Sequence, residues 1–276
     1  MTEEEAIRRS QTAVTRSRIV EDLLDLGLKA NDRVIVHTSM SKIGWVCGGT
    51  AAVIGALQDV LTEKGTLIMP AHSADVSDPA DWSNPSVPRD WFDSIYREMP
   101  AFDPARTPTL GMGRVAEVFR TYPDVGRSRH PIYSFSVWGA YRDQIVDNHP
   151  YNNGLGPNSP LGAIYRCQGR VLLIGVGYRK NTSMHLGEVF SGRLKKVKRM
   201  SPVRISGERQ WIHYQDWDYH EERFAEIGRH FEQEFGQSPA VRKGMIGQAP
   251  SILLDQKEVV DYTAAYLRKQ RRTALQ

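Results

Sequence analysis

Three short apolar runs constrain the fold more than any other feature of this chain. They are RVIVH at residues 33–37, TLIMP at 66–70 and VLLI at 171–174. Runs of this length, rich in branched side chains and bounded by glycine or polar residues, are typical of strands buried inside a sheet. Apolar residues at helical spacing occupy 18–28 and 50–61. The alternation of helix and strand predicts an α/β fold, in which helices cover a layered sheet.

Further elements are predicted along the rest of the chain. Helical spacing indicates helices at 113–120, 139–146, 221–235 and 258–269, and a strand is predicted at 133–138. Residues 203–205 and 210–214 alternate across Ser206-Gly207, which predicts a hairpin in the C-terminal part.

Residues 73–109 form a long segment rich in proline, aspartate and serine. A loop of this length inside a compact domain is usually functional or disordered. Its aromatic residues, among them Trp82, Trp91 and Tyr96, favour an ordered and functional loop. One short helix is predicted within it, near residues 91–97.

Charge is segregated along the chain, whose net charge is +4. Residues 193–204 contain six basic side chains and no acid, whereas 72–103 and 216–234 each contain seven acids against two Lys or Arg. This pattern indicates one anionic and one cationic ligand, although solvated acidic faces would look the same. A nucleic-acid partner is not expected, because no basic stripe is interleaved with aromatic residues.

Two cysteines, Cys47 and Cys167, suit a reducing compartment and give no disulfide framework. The N-terminal residues lack the apolar core of a signal peptide, and no run approaches the ~18 apolar residues of a membrane span. We therefore expect a cytoplasmic protein without a membrane partner.

The stretch NTSMHLGE, residues 181–188, carries the strongest chemical signal. Asn181, Thr182 and Ser183 are good N-cap residues, so His185 falls in the first turn of a helix. Glu188 lies three residues further on, on the same helical face. A carboxylate there can orient a neutral histidine as a general base. A surface ion pair is the alternative interpretation of the same spacing.

Other catalytic and metal motifs are missing from the sequence. His37, His72, His130 and His149 are widely separated and belong to no HExxH or CxxC pattern, so no metal site is expected. There is no GxSxG elbow, no Walker loop, and GVGYRK is not GxGxxG.

Several stretches together resemble the antibiotic N-acetyltransferase family, whose type member is aminoglycoside 3-N-acetyltransferase. They are HTSMSKIGWVCGG, TLIMPAHS, PAFDPARTPTLGMG, RSRHPIYSFSVWG, the segment from SPLGAIYR to NTSMHLGE, and MIGQAPSILL. The resemblance covers about residues 17–265 of a single domain spanning 1–276. It implies the family's own layered α/β/α fold, distinct from the GNAT fold, with acetyl-CoA as cosubstrate.

The resemblance also implies roles for individual residues. His185 matches the catalytic histidine, Glu188 its supporting carboxylate, and Thr182 a hydroxyl position beside them. The residues implied for coenzyme binding are Ser39, Ser41, Lys42, Ile43, Gly44, Trp45, Val46, Thr107, Thr109, Arg127 and Ser128. The acids expected to grip the ammonium groups of the acceptor are Asp75, Asp103, Asp216 and Asp218. For Asp103 a turn, and for Asp218 a helix cap, is the alternative interpretation.

These features together predict N-acetylation of a cationic aminoglycoside at its 3-amino group, by direct transfer with His185 as base, conferring resistance. Cys47 is expected to be a small buried residue rather than a nucleophile. A different amine acceptor, or a non-catalytic protein that binds coenzyme A or another polyanion, are the alternatives. The resemblance allows a monomer or a homodimer.

Overall fold

The computed structural model describes residues 3–83 and 85–273, with side chains described up to residue 269. The helices are α1 (Glu3–Arg9), α2 (Arg16–Leu26), α3 (Met40–Ile43), α4 (Gly49–Leu61), α5 (Phe92–Glu98), α6 (Arg114–Phe119), α7 (Arg142–Val146), α8 (Pro160–Arg166), α9 (Ser183–Ser191), α10 (Phe224–Phe235) and α11 (Gln256–Thr273). The strands are β1 (Arg33–Thr38), β2 (Thr66–Pro70), β3 (Gly126–Arg127), β4 (Phe135–Gly139), β5 (Arg170–Ile174), β6 (Lys196–Ile205), β7 (Glu208–Trp217), β8 (Val241–Ile246) and β9 (Ala249–Asp255).

Strand β1 lies at the centre of a seven-stranded sheet with the order β3-β4-β2-β1-β5-β9-β8. It runs parallel to both β2 and β5, whereas the outer strands pair antiparallel. In register, Ile35 of β1 faces Ile68 on one side and Val171 on the other. Central parallel strands are buried on both faces, which explains why their sequences are continuous apolar runs.

Alternate residues of these strands enter two separate cores. Val34 and Leu172 pack with α2, α4 and α6 on one face of the sheet. Ile35 and Val171 pack with α8 to α11 on the other face. The layered α/β/α arrangement predicted from the sequence is therefore confirmed.

Several elements differ from the sequence prediction. The hairpin β6–β7 is longer than predicted, with ten residues in each strand, and it forms a separate two-stranded sheet. Helix α7 begins only at Arg142, because Gly139 ends β4 with φ +104°. Helix α8 and the strands β8 and β9 were not predicted. The middle of β8, the outermost strand of its sheet, is exposed from Arg242 to Met245, so it lacks the apolar period of a buried strand.

The long segment 73–109 is ordered and contains α5 close to its predicted position. It packs against the hairpin through backbone carbonyls of α5 and the residue after it. Trp211 Nε1 donates to Tyr96 O at 2.8 Å, and Arg209 donates to the carbonyls of Tyr96, Arg97 and Met99. The hairpin and this loop therefore form one continuous wall beside the sheet.

Helix α9 packs unusually close to α11, and a glycine makes the approach feasible. A Cβ atom on Gly187 would lie 2.7 Å from both Val260 O and Thr263 Cβ. Close helix contact at this point fixes the position of α9 around Gly187, and therefore of Glu188, which follows it directly, and of His185, two residues before it.

Candidate functional site

The carboxyl ends of the parallel strands β1, β2 and β5 surround a cavity of about 460 Å³, here called the histidine cleft. Open α/β sheets place ligands at this edge, where neighbouring strands lead into loops on opposite sides. The residues that line it are Val36, His37, Thr38, Ser39, Met40, Ser41, Met69, Pro70, His72, Gly111, Met112, Gly113, Arg114, Ala116, Val176, Arg179, Lys180, Thr182, His185 and Glu221.

The turn after β5 carries the chain from the sheet into α9. Gly175 has φ +63°, and a Cβ there would lie 2.5 Å from Lys42 Cβ, so only glycine fits without displacement. Asn181 Oδ1 accepts a hydrogen bond from Ser183 N at 3.1 Å and supplies the capping acceptor. Thr182 occupies the cap position itself and lines the cleft, without a side-chain capping bond.

His185 and Glu188 form a buried pair at the wall of the histidine cleft. Their Nδ1 and Oε2 atoms are 2.6 Å apart, and the two side chains are 14% and 5% exposed. The backbone N–H of His220 donates to both carboxylate oxygens of Glu188 at 3.3 Å. This geometry excludes the surface ion pair as an interpretation of the spacing.

Aromatic rings restrict the orientation of the His185 imidazole. The ring of Phe224 lies 4.7 Å from it and that of Tyr219 lies 5.4 Å from it, centroid to centroid. Because the Nδ1–H of a neutral imidazole would donate to Glu188, Nε2 becomes the proton acceptor.

Two further histidines of the cleft are held neutral. Burial, followed by repulsion from His185, lowers the pKa of both His37 and His72 to about 3. The cleft thus places one hydrogen-bonded histidine beside two uncharged imidazoles, at the ends of β1 and β2. Neither was predicted from the sequence as a cleft residue, although His37 ends one predicted strand and His72 follows another by two residues.

A second depression of about 620 Å³, here called the Trp45 groove, adjoins the histidine cleft and shares Met40, Ser41 and Arg114 with it. Its lining residues are Glu3, Ala6, Met40, Ser41, Gly44, Trp45, Val46, Gly48, Gly49, Thr50 and Arg114. Arg114 was not singled out from the sequence, although it directly follows the glycine-containing stretch LGMG.

The predicted coenzyme loop divides between these two depressions and the core. Ser39 lines the histidine cleft, and Ser41 lies where cleft and groove meet. The groove is lined by Gly44, Trp45 and Val46. The side chain of Ile43 is buried in the core, and Lys42 lines a different depression, beside β8 and β9.

Cys47 is exposed, which corrects the expectation of a buried residue. It lies in the turn before α4, whose N-cap glycine Gly48 has φ +82°, and this turn directs the thiol outward. Cys47 does not line the histidine cleft.

Arg127 is buried and joins four segments through its guanidinium. It donates to Ser134 Oγ at 3.0 Å and Ala71 O at 2.6 Å, and also to the carbonyl of Thr107. The Asp103 N–H in turn donates to Thr107 Oγ1 at 2.9 Å. Arg127 therefore holds the loop around residue 107 against the sheet.

Ser128 and Thr109 also make internal bonds. Ser128 Oγ lies 2.8 Å from His149 Nδ1 and accepts from Phe135 N. The backbone N–H of Thr109 donates to Glu117 at 2.7 Å. Coenzyme binding by Thr107, Thr109, Arg127 and Ser128 stays a prediction.

The four predicted acceptor acids occupy different environments. Asp103 Oδ1 accepts from the N–H groups of Ala105 and Arg106, as a turn residue does. Asp216 is fully buried, and burial raises its pKa to about 6 despite hydrogen bonds from Trp217 and Gly154. An aspartate without solvent exposure does not offer its carboxylate to a ligand in this conformation.

Asp75 and Asp218 are exposed near a third cavity, here called the Asp81 cavity, of about 540 Å³. Its lining residues are Ala74, Asp75, Ser77, Asp81, Trp82, Ser83, Pro85, Val87, Leu110, Ile132, Tyr133 and Arg199. Asp218 reaches it through Arg199, whose Nη2 lies 3.6 Å from Asp218 Oδ1. The cavity lies next to the histidine cleft, because Tyr133 contacts the His72 ring at 5.5 Å.

A histidine–carboxylate pair in a cleft at the carboxyl ends of parallel strands is the apparatus of an enzyme that deprotonates a nucleophile. Among the described residues, no group of three or more His, Cys, Asp and Glu side chains is arranged to hold a metal ion. No helix within residues 3–83 and 85–273 is long and apolar enough to cross a membrane.

Comparison with known proteins agrees with this class. Residues 35–268 match the family described as aminoglycoside 3-N-acetyltransferase. The SPβ prophage-derived aminoglycoside N(3')-acetyltransferase-like protein YokD of Bacillus subtilis is 44% identical over 90% of each chain. Aminoglycoside N(3)-acetyltransferase IX of Micromonospora chalcea is 36% identical, over 97% of this chain and 98% of its own.

Solved structures show the same fold. The crystal structure of the YokD protein superimposes with a TM-score of 0.93, at 40% identity and 98% coverage of both chains. The AAC-IIIb binary complex with CoASH superimposes with a TM-score of 0.81, at 29% identity, covering 94% of this chain and 98% of that one. The chain belongs to the aminoglycoside 3-N-acetyltransferase family and is an acetyltransferase.

Proposed function

We propose that the protein transfers the acetyl group of acetyl-CoA to the 3-amino group of an aminoglycoside, with His185 as general base. The observation that carries the proposal is the 2.6 Å contact between His185 Nδ1 and Glu188 at the wall of the histidine cleft. Family membership supplies the reaction class, and the relative bound to CoASH supports the cosubstrate. Acetylation of the drug in the cytoplasm would confer resistance.

The Trp45 groove fits a long anionic cosubstrate. It is continuous with the histidine cleft at Met40, Ser41 and Arg114, so one molecule can extend through both. Arg114 supplies a fixed positive charge at this junction, as a phosphate or pyrophosphate requires. Gly44, Gly48 and Gly49 have positive φ, and the absence of side chains there lets a ligand approach the backbone.

His185 would act on an acceptor amine that has already released one proton to solvent. Its Nε2 takes the second proton as the amine nitrogen bonds to the acetyl carbonyl carbon. The carbon–sulfur bond then breaks, and His185 returns the proton to the departing thiolate. The products are an amide and a free thiol, so no acyl-enzyme is needed and exposed Cys47 has no role.

Glu188 would keep the imidazole in the reactive tautomer. By accepting a hydrogen bond from Nδ1–H it keeps the ring proton on Nδ1 and leaves Nε2 unprotonated, and it stabilises the imidazolium that forms during transfer. The His220 N–H and the burial of Glu188 restrict this carboxylate to one orientation.

The test is thiol release from acetyl-CoA with a panel of aminoglycosides, comparing the wild type with His185→Ala. We expect acceptor-dependent release that falls at least ~10²-fold in the variant, with unchanged coenzyme affinity. His213→Ala is the matched control, because His213 is exposed on β7. Coenzyme binding without aminoglycoside-dependent release would exclude the aminoglycoside as acceptor and direct the assay to other amines. Wild-type turnover in His185→Ala would exclude the general base.

A further inference from the structure

Arg199 is a cation in the wall of the Asp81 cavity, which also contains the carboxylates of Asp75 and Asp81. Its Nη1 lies 3.2 Å from Asp81 Oδ2 and its Nη2 lies 3.6 Å from Asp218 Oδ1. The Arg199 side chain is 20% exposed, whereas the two carboxylates are about 40% exposed. One guanidinium therefore pairs with Asp218, one of the acids predicted to grip the acceptor, and with Asp81, which was not among them.

The hairpin fixes the direction of Arg199. Along β6, exposed Lys196 and Lys198 alternate with the less exposed Val197 and Arg199, as expected for side chains on opposite faces of a strand. Arg199 therefore points to the cavity, while Lys198 points to solvent from the neighbouring position. The two residues differ in the face they occupy, although both lie in the basic segment 193–204.

The Asp81 cavity is close to the catalytic pair. Tyr133 lines the cavity beside Arg199, and its ring contacts that of Tyr219 with centroids 5.3 Å apart. Tyr219 in turn contacts His185. An acceptor with its amine at His185 is thus only two aromatic rings away from the guanidinium.

We propose that Arg199 is a specificity residue of the acceptor site. Resting on the proposed function, the proposal is that the positive charge of Arg199 weakens the attraction of the Asp81 cavity, which Asp75 and Asp81 also line, for an additional ammonium group, relative to a neutral hydroxyl group of an amino sugar. An ammonium entering the cavity meets Arg199 and finds Asp81 already paired, whereas a hydroxyl can accept a hydrogen bond from the guanidinium or donate one to a carboxylate.

The experiment measures binding by titration calorimetry, so that it does not depend on turnover. The probes are two pairs that differ by one hydroxyl in place of one amine: paromomycin with neomycin B, and kanamycin A with kanamycin B. The variants are Arg199→Gln, Lys198→Gln as the control for loss of one charge on the same strand, and Asp81→Asn.

In Arg199→Gln we expect the ratio of affinities to shift towards the amine-rich member of a pair by about 10-fold, which is 1.4 kcal/mol of differential interaction. Lys198→Gln should shift it less than about twofold, because its charge lies in solvent. Asp81→Asn should shift the ratio in the opposite direction. Opposite shifts of the affinity ratio in Arg199→Gln and Asp81→Asn indicate a charge effect. Loosening of the loop that contains Asp81 would shift the ratio in the same direction in both variants.

The proposal would be overturned if the affinity ratio within each pair were unchanged in Arg199→Gln, or if Arg199→Gln and Lys198→Gln shifted it equally. It would also be overturned if neither the wild type nor any variant bound any of the four compounds. Binding of the amine-rich compounds by Arg199→Gln, and not by the wild type, would support the proposal. Thiol release measured in parallel tests the proposed function separately, since the affinity ratio is defined whether or not acetyl transfer follows.

Discussion

The hydroxyl of Tyr219 donates a 3.2 Å hydrogen bond to the buried carboxylate of Asp216, and it accepts one from Leu155 N at 2.8 Å. The same tyrosine ring contacts the His185 imidazole, so the segment that follows β7 packs against His185. Asp216 was predicted from the sequence to grip the acceptor. Its burial instead favours a positioning role through Tyr219.

Asp216→Asn is therefore expected to lower kcat by several-fold to about 10-fold and to leave the KM for the acceptor nearly unchanged. Gly154 N donates to both carboxylate oxygens of Asp216, and an asparagine side chain has only one such oxygen. The segment that carries Tyr219 should therefore shift. Steady-state kinetics with both substrates check this, with Asp25→Asn, exposed on α2, as the control. A change confined to the acceptor KM would return Asp216 to a ligand-binding role.

Glu188→Gln should reduce kcat by about 10²-fold or more while the protein remains folded. A glutamine can donate its amide N–H to Nδ1, which favours the tautomer with the proton on Nε2 and removes the base. Coenzyme affinity measured by titration should not change. Full activity in this variant would show that Glu188 does not set the tautomer.

The buried histidine His149 should make stability depend on pH. Burial lowers its pKa from 6.5 to about 4, so the folded state resists a proton that the unfolded chain accepts. The stabilisation is fully present above pH 6.5 and is lost as the pH falls towards 4. Urea unfolding from pH 7 to 4.5 should show a shallower decrease for His149→Gln, whose amide can replace both ring hydrogen bonds.

Asp216 should have the opposite effect on the pH dependence of the free energy of unfolding. Its folded-state pKa is raised from 3.8 to about 6, so the folded protein binds this proton more readily than the unfolded chain. Its contribution to stability rises as the pH falls from above 6 towards 3.8. Asp216→Asn should therefore steepen the acid-induced loss, and a shallower curve would contradict the assignment.

Gly187→Ala should destabilise the protein by about 1–3 kcal/mol, because overpacking forces α9 and α11 apart. The added methyl would lie 2.7 Å from the carbonyl of Val260. Gly177→Ala is the control, since a Cβ there meets nothing within 4 Å and no positive φ is involved. The two variants are compared by their denaturant midpoints, provided that the free energy of unfolding depends on denaturant concentration with the same slope in both. Equal stability of the two variants would show that α9 and α11 adjust without cost.

The sequence by itself determined the central strands and the pairing of His185 with Glu188. Buried parallel strands require apolar side chains on both faces, so β1, β2 and β5 are visible as continuous runs. His185 and Glu188 lie three residues apart on one helix, and helical geometry alone brings their side chains together. Both features depend on short-range chain geometry, which a single sequence contains.

Only the tertiary structure decided what the remaining charged residues do. Asp216 and Asp75 look alike in sequence, but Asp216 is buried on strand β7 of the hairpin and Asp75 is exposed at the Asp81 cavity. Arg127 contacts the carbonyl of Ala71, and Arg199 contacts Asp81, across separations of 56 and 118 residues. Such pairings depend on which strands and loops become neighbours, and the free energy of a charge depends on burial and partners that the local sequence does not specify.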